Sequence, residues 1–151
     1  MKLAHLQQQI ADLQNTIDLE WNSGSFSKRI VLMHSSISGA AQACKNDQTT
    51  RCACELAELV IQIVAFPSFF PSWGDIWGVQ SLNDFSTEGL AGDLWDHLYK
   101  LHQLASSLVG GRSDIILLFK LLQVARAATQ LQNIELAGAI QEQLESHWQT
   151  A

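Results

Sequence analysis

Two pairs of carboxylates share one spacing in this sequence of 151 residues. Glu55 and Glu58 are three positions apart, and so are Asp93 and Asp96. In an α-helix this spacing places both members of a pair on one face. Carboxylate oxygens are the ligands that Mg²⁺ prefers, and bound Mg²⁺ polarises a phosphate and lowers the pKa of an attacking water. The four acids therefore predict a magnesium site for a nucleotide, with Glu58 and Asp93 as the catalytic candidates.

A structural explanation of the same acids needs no ligand. The stretch 53–66 is apolar all round except at Glu55, Glu58 and Gln62, which a period of 3.6 places in one narrow stripe. That stripe is either the only wet edge of a buried helix or a polar seam that faces a partner. Acids three residues apart are also common on exposed helices, so the two aspartates fit an ordinary solvated face.

Four further residues are candidates for binding a nucleotide. Arg51 and Lys100 each lie one helical turn from an acid pair, where a cation would neutralise phosphate oxygens. Trp73 and Trp77 follow in a segment rich in turn formers, and an indole ring can stack on a base.

The elements that must position these residues are helices. No strand-like alternation is present, so the sequence predicts an all-α fold, a bundle of about six helices in a single domain over residues 1–151. The predicted helices span about 3–17, 26–44, 50–66, 87–109, 114–130 and 134–148. Ser25 and Ser113 are the expected N-caps of the second and fifth helices, and Ser86 or Thr87 that of the fourth. The last two helices form a C-terminal hairpin over about 113–149.

The first predicted helix carries an apolar seam of its own. Leu3, Leu6, Ile10, Leu13 and Ile17 step by three and four in alternation, which is the pattern of a coiled coil. Such a seam needs a partner helix. Packing inside the chain and a dimer contact are the two explanations.

A long aromatic segment separates the third and fourth predicted helices. Phe69, Phe70, Trp73 and Trp77 alternate with prolines and glycines there. Loops seldom hold this much apolar area without covering something. The segment is therefore a lid on the core, a dimer face or a platform for a base.

Composition narrows the partners and the compartment. The net charge is -6 and no cluster of Lys and Arg occurs, so the chain lacks the electrostatic footprint of a protein that binds a nucleic-acid polymer. We expect neither export nor membrane insertion, because no apolar run has the length of a signal or spanning segment. Cys44, Cys52 and Cys54 match no C-x-x-C spacing and fit reduced thiols in the cytoplasm; zinc bound by these cysteines with His34 is the alternative.

Two segments resemble one enzyme family. Residues 54–59 read CELAEL, which is similar to the Gly-Glu-Leu-Ala-Glu core of the first metal-binding helix in MazG-like nucleoside triphosphate pyrophosphohydrolases. Residues 90–101 read LAGDLWDHLYKL, which resembles the second helix of that family, where an acid precedes an aspartate by three positions. The two segments occur in the family's order, and by this resemblance a MazG-like core would span about 26–110.

The resemblance implies an all-α, usually dimeric enzyme that cleaves nucleoside triphosphates between the α- and β-phosphates with Mg²⁺. By position, Glu55 and Asp96 match metal ligands, and Asp93 stands where the family has glutamate. The first motif is degenerate, because Arg51 and Cys52 occupy the places of two adjacent glutamates. The resemblance thus implies either a pyrophosphohydrolase or a catalytically impaired relative.

Two hypotheses from other classes remain open. One is an α-helical interaction protein without chemistry, which contacts a protein partner or a second copy through the Leu3–Ile17 seam and the aromatic segment. The other is a phosphotransfer domain centred on His102, because residues 102–107 resemble the phosphoacceptor helix of histidine phosphotransfer proteins.

Overall fold

The computed structural model of the protein describes residues 1–16, 25–73, 75–108 and 115–149, and of Pro71 only the backbone. Six α-helices lie in these residues: α1 (Leu3–Thr16), α2 (Phe26–Lys45), α3 (Thr49–Ala65), α4 (Leu94–Ser107), α5 (Ile115–Leu131) and α6 (Leu136–Gln149). The only extended pairing within the described ranges is an isolated antiparallel bridge between Lys2 and Ser81. The predicted all-α bundle is confirmed.

The centre of the bundle is α3. It packs against α1, α2, α5 and α6, and its second half is buried on nearly every side. Within the described part of the chain, Thr49–Phe69 alone is long and apolar enough to cross a membrane, yet 67% of its most apolar stretch is buried inside the bundle. This burial is typical of the core helix of a soluble protein.

The apolar seam of α1 packs inside the chain. Leu3, Leu6, Ile10 and Leu13 are at most 1% exposed, and the helix lies on α3 and α6. Of the two explanations for the seam, intramolecular packing is confirmed for these residues. Ile17, the last residue of the predicted seam, lies outside the described residues.

The aromatic segment folds back on the core. Three short 3₁₀ helices lie between α3 and α4: Phe66–Phe69, Pro71–Trp73 and Leu82–Asp84. Phe66 and Trp77 are fully buried, and the indole N–H of Trp77 donates a hydrogen bond to the carbonyl oxygen of Val64 over 3.0 Å. The segment therefore covers the end of α3, as the lid explanation predicts.

The fourth helix begins later than its sequence pattern predicts. A start after Ser86 or Thr87 is wrong, since α4 begins at Leu94. Gly89 and Gly92 have φ angles of +78° and +112°, and an α-helix cannot continue through such residues. The chain from Ser86 to Gly92 is consequently a loop beside α4.

The other helix boundaries are closer to expectation. Ser25 caps α2 as predicted, because its hydroxyl oxygen accepts a hydrogen bond from the backbone N–H of Lys28 over 3.2 Å. The sixth helix begins at Leu136, two residues after the predicted start. Ser113, the predicted N-cap of the fifth helix, lies outside the described residues.

Candidate functional site

The predicted pair Asp93 and Asp96 closes the start of α4. The Oδ1 atom of Asp93 accepts a hydrogen bond from the backbone N–H of Asp96 over 2.9 Å, and the Oδ2 atom of Asp96 accepts one from the backbone N–H of Asp93 over 3.0 Å. This reciprocal arrangement is a capping box. The hydrogen bond from the backbone of Asp96 holds the pKa of Asp93 below its ordinary value, because it favours the ionised carboxylate. One oxygen of each aspartate is thus engaged in a structural role.

The predicted ligand Glu58 holds α6 on α3. Its Oε2 atom accepts a hydrogen bond from the amide nitrogen of Gln143 over 2.9 Å and lies 2.8 Å from Nε2 of His147. The hydrogen bond between Glu58 and His147 raises the pKa of His147 above its ordinary value, although partial burial opposes the shift.

The Glu58–His147 contact predicts a dependence of stability on pH. A histidine whose pKa is raised by folding contributes stability that is fully present below its unfolded pKa of about 6.5 and is lost as the pH rises through its folded pKa. We therefore expect His147→Gln to lower the free energy of unfolding more at pH 6 than at pH 9, as measured by urea denaturation. The exposed His5, changed to Gln, is the control, and an equal loss at both pH values would contradict this role of His147.

Glu55 faces the helix α2 rather than its neighbour Glu58. A Cβ atom placed on Gly39 would lie 2.6 Å from the carboxyl carbon of Glu55, so the missing side chain of Gly39 makes room for this carboxylate. Burial raises the pKa of Glu55, while the positive charge of Arg51 opposes the shift and the charge of Glu58 adds to it. Glu55 is therefore a half-buried acid in the seam between α2 and α3.

The structure does not bring the four predicted acids together into one cage. Helices α3 and α4 each pack on α2 and α5 rather than extensively on each other. Among the described residues, no group of three or more His, Cys, Asp or Glu side chains is placed to hold a metal ion, which includes the three cysteines with His34. The binding of Mg²⁺ and of a nucleotide stays a prediction.

The predicted nucleotide-binding residues are equally dispersed. Trp77 is fully buried, so its ring offers no open face to a base. Trp73 is half-buried and packs on Phe70, with ring centroids 4.4 Å apart. Arg51 is exposed in the first turn of α3, whereas Lys100 is exposed on α4.

A pocket lies beside α4, between this helix and the loop that precedes it. Its volume is about 280 Å³, and Leu90, Asp96, Tyr99, Lys100 and Val124 contribute to its wall. Asp96 and Lys100, two of the predicted site residues, thus share one concave surface with apolar neighbours.

Large apolar side chains remain exposed at the same helix. Trp95 and Tyr99 are 50% and 66% exposed and lie one turn apart, and Leu90 on the preceding loop is 38% exposed. Sequence reasoning missed this surface. The sequence signal that could have indicated it is the pair Trp95 and Tyr99, which lie four positions apart and outside the apolar stripe of the helix.

A second polar arrangement joins α2 to α4. Nδ1 of His34 lies 2.7 Å from Nδ1 of His102, and Nε2 of His34 lies 3.3 Å from the hydroxyl oxygen of Ser106. The ring planes of the two histidines differ by 10°. Because 2.7 Å is too short for stacked faces, the rings meet edge to edge through one shared N–H···N hydrogen bond. Burial, and secondarily the charge of His34, lowers the pKa of His102.

This histidine pair could not be found from local sequence patterns. His34 and His102 are 68 positions apart, and no sequence motif links them to each other. Only the packing of α2 on α4 brings them together.

No family model matches the chain, and neither a curated protein nor a solved structure matches it significantly. The likeness to MazG-like enzymes therefore rests on the two short segments alone.

Proposed function

We propose that this protein is a helical binding protein that docks an apolar and basic helical segment of a partner protein on the exposed side of α4. The observation that carries the proposal is the exposure of Trp95 and Tyr99, at 50% and 66%. Adjacent exposed apolar side chains are typical of binding surfaces, and Trp and Tyr supply much of the binding energy at interfaces. We place this activity in the cytoplasm, as the composition predicts.

The pocket beside Tyr99 gives the partner an anchor point. Leu90, Tyr99 and Val124 provide apolar wall, and the volume of about 280 Å³ accommodates one aromatic or branched side chain. A helix that lies across α4 would insert that side chain and cover Trp95 with its next turn, which is the usual mode of helix recognition in a groove.

The charges around this surface favour a basic partner. Glu88, Asp93 and Asp96 are exposed on α4 or in the loop just before it, where Lys100 is the one Lys or Arg residue. The whole chain carries a net charge of -6. Lys or Arg residues that flank the apolar positions of the partner would therefore speed encounter and fix its register.

This surface replaces the two contact surfaces that the sequence predicts. The described part of the α1 seam is buried inside the bundle, and the aromatic segment covers α3. The exposed side of α4 has no such cover among the described residues. We therefore keep the hypothesis of an α-helical interaction protein but place its contact surface on α4.

A peptide library displayed on phage and selected on the whole protein tests the proposal. We expect selected peptides to carry apolar residues three or four positions apart together with Lys or Arg, and to bind with dissociation constants in the micromolar range. The double change Trp95→Ser and Tyr99→Ser should weaken binding by at least tenfold, because about 1.4 kcal/mol corresponds to one factor of ten.

Trp148→Ser is the matched control, since Trp148 is 43% exposed on α6 and should not affect the peptides. Acidic peptides, or binding that the double change does not weaken, would contradict the proposal. Sedimentation of the protein alone, with and without the double change, provides a further check. A dimer held by these two side chains would show that the occupant is a second copy rather than a partner protein.

A further inference from the structure

The histidine pair at the α2–α4 seam has the connectivity of a nucleophile, a base and an orienting group. The hydroxyl oxygen of Ser106 lies 3.3 Å from Nε2 of His34, whose other nitrogen lies 2.7 Å from His102. In serine hydrolases the serine contacts one ring nitrogen of the base, and a third group holds the other nitrogen. A separation slightly above hydrogen-bond length between nucleophile and base is usual in the absence of substrate.

We infer that Ser106, His34 and His102 form a nucleophilic site for carboxylic esters with apolar acyl groups, beyond the proposed docking function. Ser106 is the nucleophile, His34 is the general base, and His102 is a positioning residue that acts through His34. Ser106 is exposed, so an ester can reach its hydroxyl, while both histidines are half-buried and held on separate helices.

The contacts allow two proton arrangements, because either histidine can donate the N–H between the two Nδ1 atoms. We assign the one in which His34 carries its proton on Nδ1 and donates it to Nδ1 of His102, which leaves Nε2 of His34 as the acceptor toward Ser106. This is the tautomer that a general base requires. When His34 takes a second proton and becomes an imidazolium, the lone pair on His102 still accepts its Nδ1–H. A neutral His102 thus takes the place that a carboxylate has in the usual triad.

Water is the only co-reactant that the hydrolysis of the ester needs. The Ser106 oxygen attacks the ester carbonyl carbon while its proton passes to Nε2 of His34. The bond between the carbonyl carbon and the alcohol oxygen then breaks, and the alcohol leaves with that proton. Water attacks the acyl-serine by the same route, which releases the carboxylic acid and restores the Ser106 hydroxyl.

The apolar preference comes from the helix faces on both sides of the seam. Positions 95, 99, 102 and 106 follow one another at steps of four, three and four, so Trp95, Tyr99, His102 and Ser106 share one face of α4. On α2, Val31 lies one turn before His34 and is 63% exposed. An acyl chain bound at Ser106 and directed along α4 would reach Tyr99, about 10 Å away along the helix axis, before it reached Trp95.

Labelling with an alkyl fluorophosphonate, followed by peptide mass spectrometry, tests the site in the whole protein. We expect one adduct, on Ser106, and its loss in Ser106→Ala. The neighbouring Ser107 is the matched control, because it is also exposed but its hydroxyl donates to the carbonyl oxygen of Gln103 over 3.0 Å. Ser107→Ala should label like the unchanged protein. An adduct on Ser107, or none at all, would overturn the inference.

The role of His34 as the general base is tested by the rates of labelling and of ester hydrolysis. His34→Gln should slow labelling and the hydrolysis of p-nitrophenyl butyrate about a hundredfold, within the range of general-base catalysis. His102→Phe removes the acceptor for Nδ1 of His34, and should shift the midpoint of the pH profile of labelling. Circular dichroism melting verifies that each variant is folded. If folded His34→Gln labels at the unchanged rate, Ser106 is not activated by His34 and the inference fails. These small probes need no partner, so their outcome is independent of the docking proposal.

Discussion

Replacing Trp77 with alanine is expected to lower the free energy of unfolding by about 3 to 5 kcal/mol, the usual range for deleting a buried aromatic side chain. The indole ring is fully buried and meets the rings of Phe85 and Phe119 at centroid distances of 6.3 Å and 5.8 Å. Its N–H also donates to the carbonyl oxygen of Val64, so the change removes both a packing unit and a buried hydrogen bond. Urea denaturation followed by circular dichroism measures the loss.

Trp73→Ala is the matched control for this prediction. Trp73 belongs to the same aromatic segment but is only half-buried, so its loss should destabilise the protein clearly less. Equal losses for the two tryptophans would contradict the structure, in which Trp77 is fully buried and hydrogen-bonded to Val64 of α3, whereas Trp73 is half-buried. A variant of Trp77 that kept full stability would show that the segment does not cover the core.

Replacing Leu6 with alanine is expected to cost about 2 to 5 kcal/mol, the range seen when a leucine is truncated inside a core. Leu6 is completely buried, and α1 packs on α3 and α6. The loss should appear in urea denaturation at every protein concentration, because the seam is satisfied within one chain. Sedimentation should show the same assembly state before and after the change.

The exposed neighbour His5 provides the control, and His5→Ala should leave stability nearly unchanged. A dimer held by the α1 seam would behave differently. Its stability would rise with protein concentration, and Leu6→Ala would reduce the dimer fraction. That result would restore the coiled-coil explanation and contradict the packing of α1 described above.

The magnesium prediction shows what residue spacing can and cannot establish about a site. On an ideal α-helix, two acids three residues apart lie on one side, and residue spacing reports no more than this. It does not report what lies opposite them. Glu58 contacts Gln143 and His147 of α6, which are 85 and 89 positions away along the sequence. The carboxylate of Glu55 occupies the place that a side chain on Gly39 would need. Asp93 precedes its helix rather than lying on it, because Gly92 has a positive φ angle.

The surface of α4 shows a second limit of sequence reasoning. Trp95 and Tyr99 lie outside the apolar stripe of their helix, which indicates exposure, although many such residues are covered by another element. The pocket beside them exists because the loop from Ser86 to Gly92 runs next to the helix. The sequence pattern predicts a helix from Thr87 onward, so it predicts neither this loop nor the pocket that the loop forms with α4.

The sequence by itself determined the all-α class, the number of helices, the seam of α1 and the buried character of α3. These features follow from the period of apolar residues and from local caps such as Ser25, which act within a few residues. The tertiary structure alone decided which acids share a site, which aromatic rings are exposed, and that His34 meets His102 and Ser106. Such contacts join residues that are distant along the chain, and they depend on the packing of whole helices, which no local pattern records.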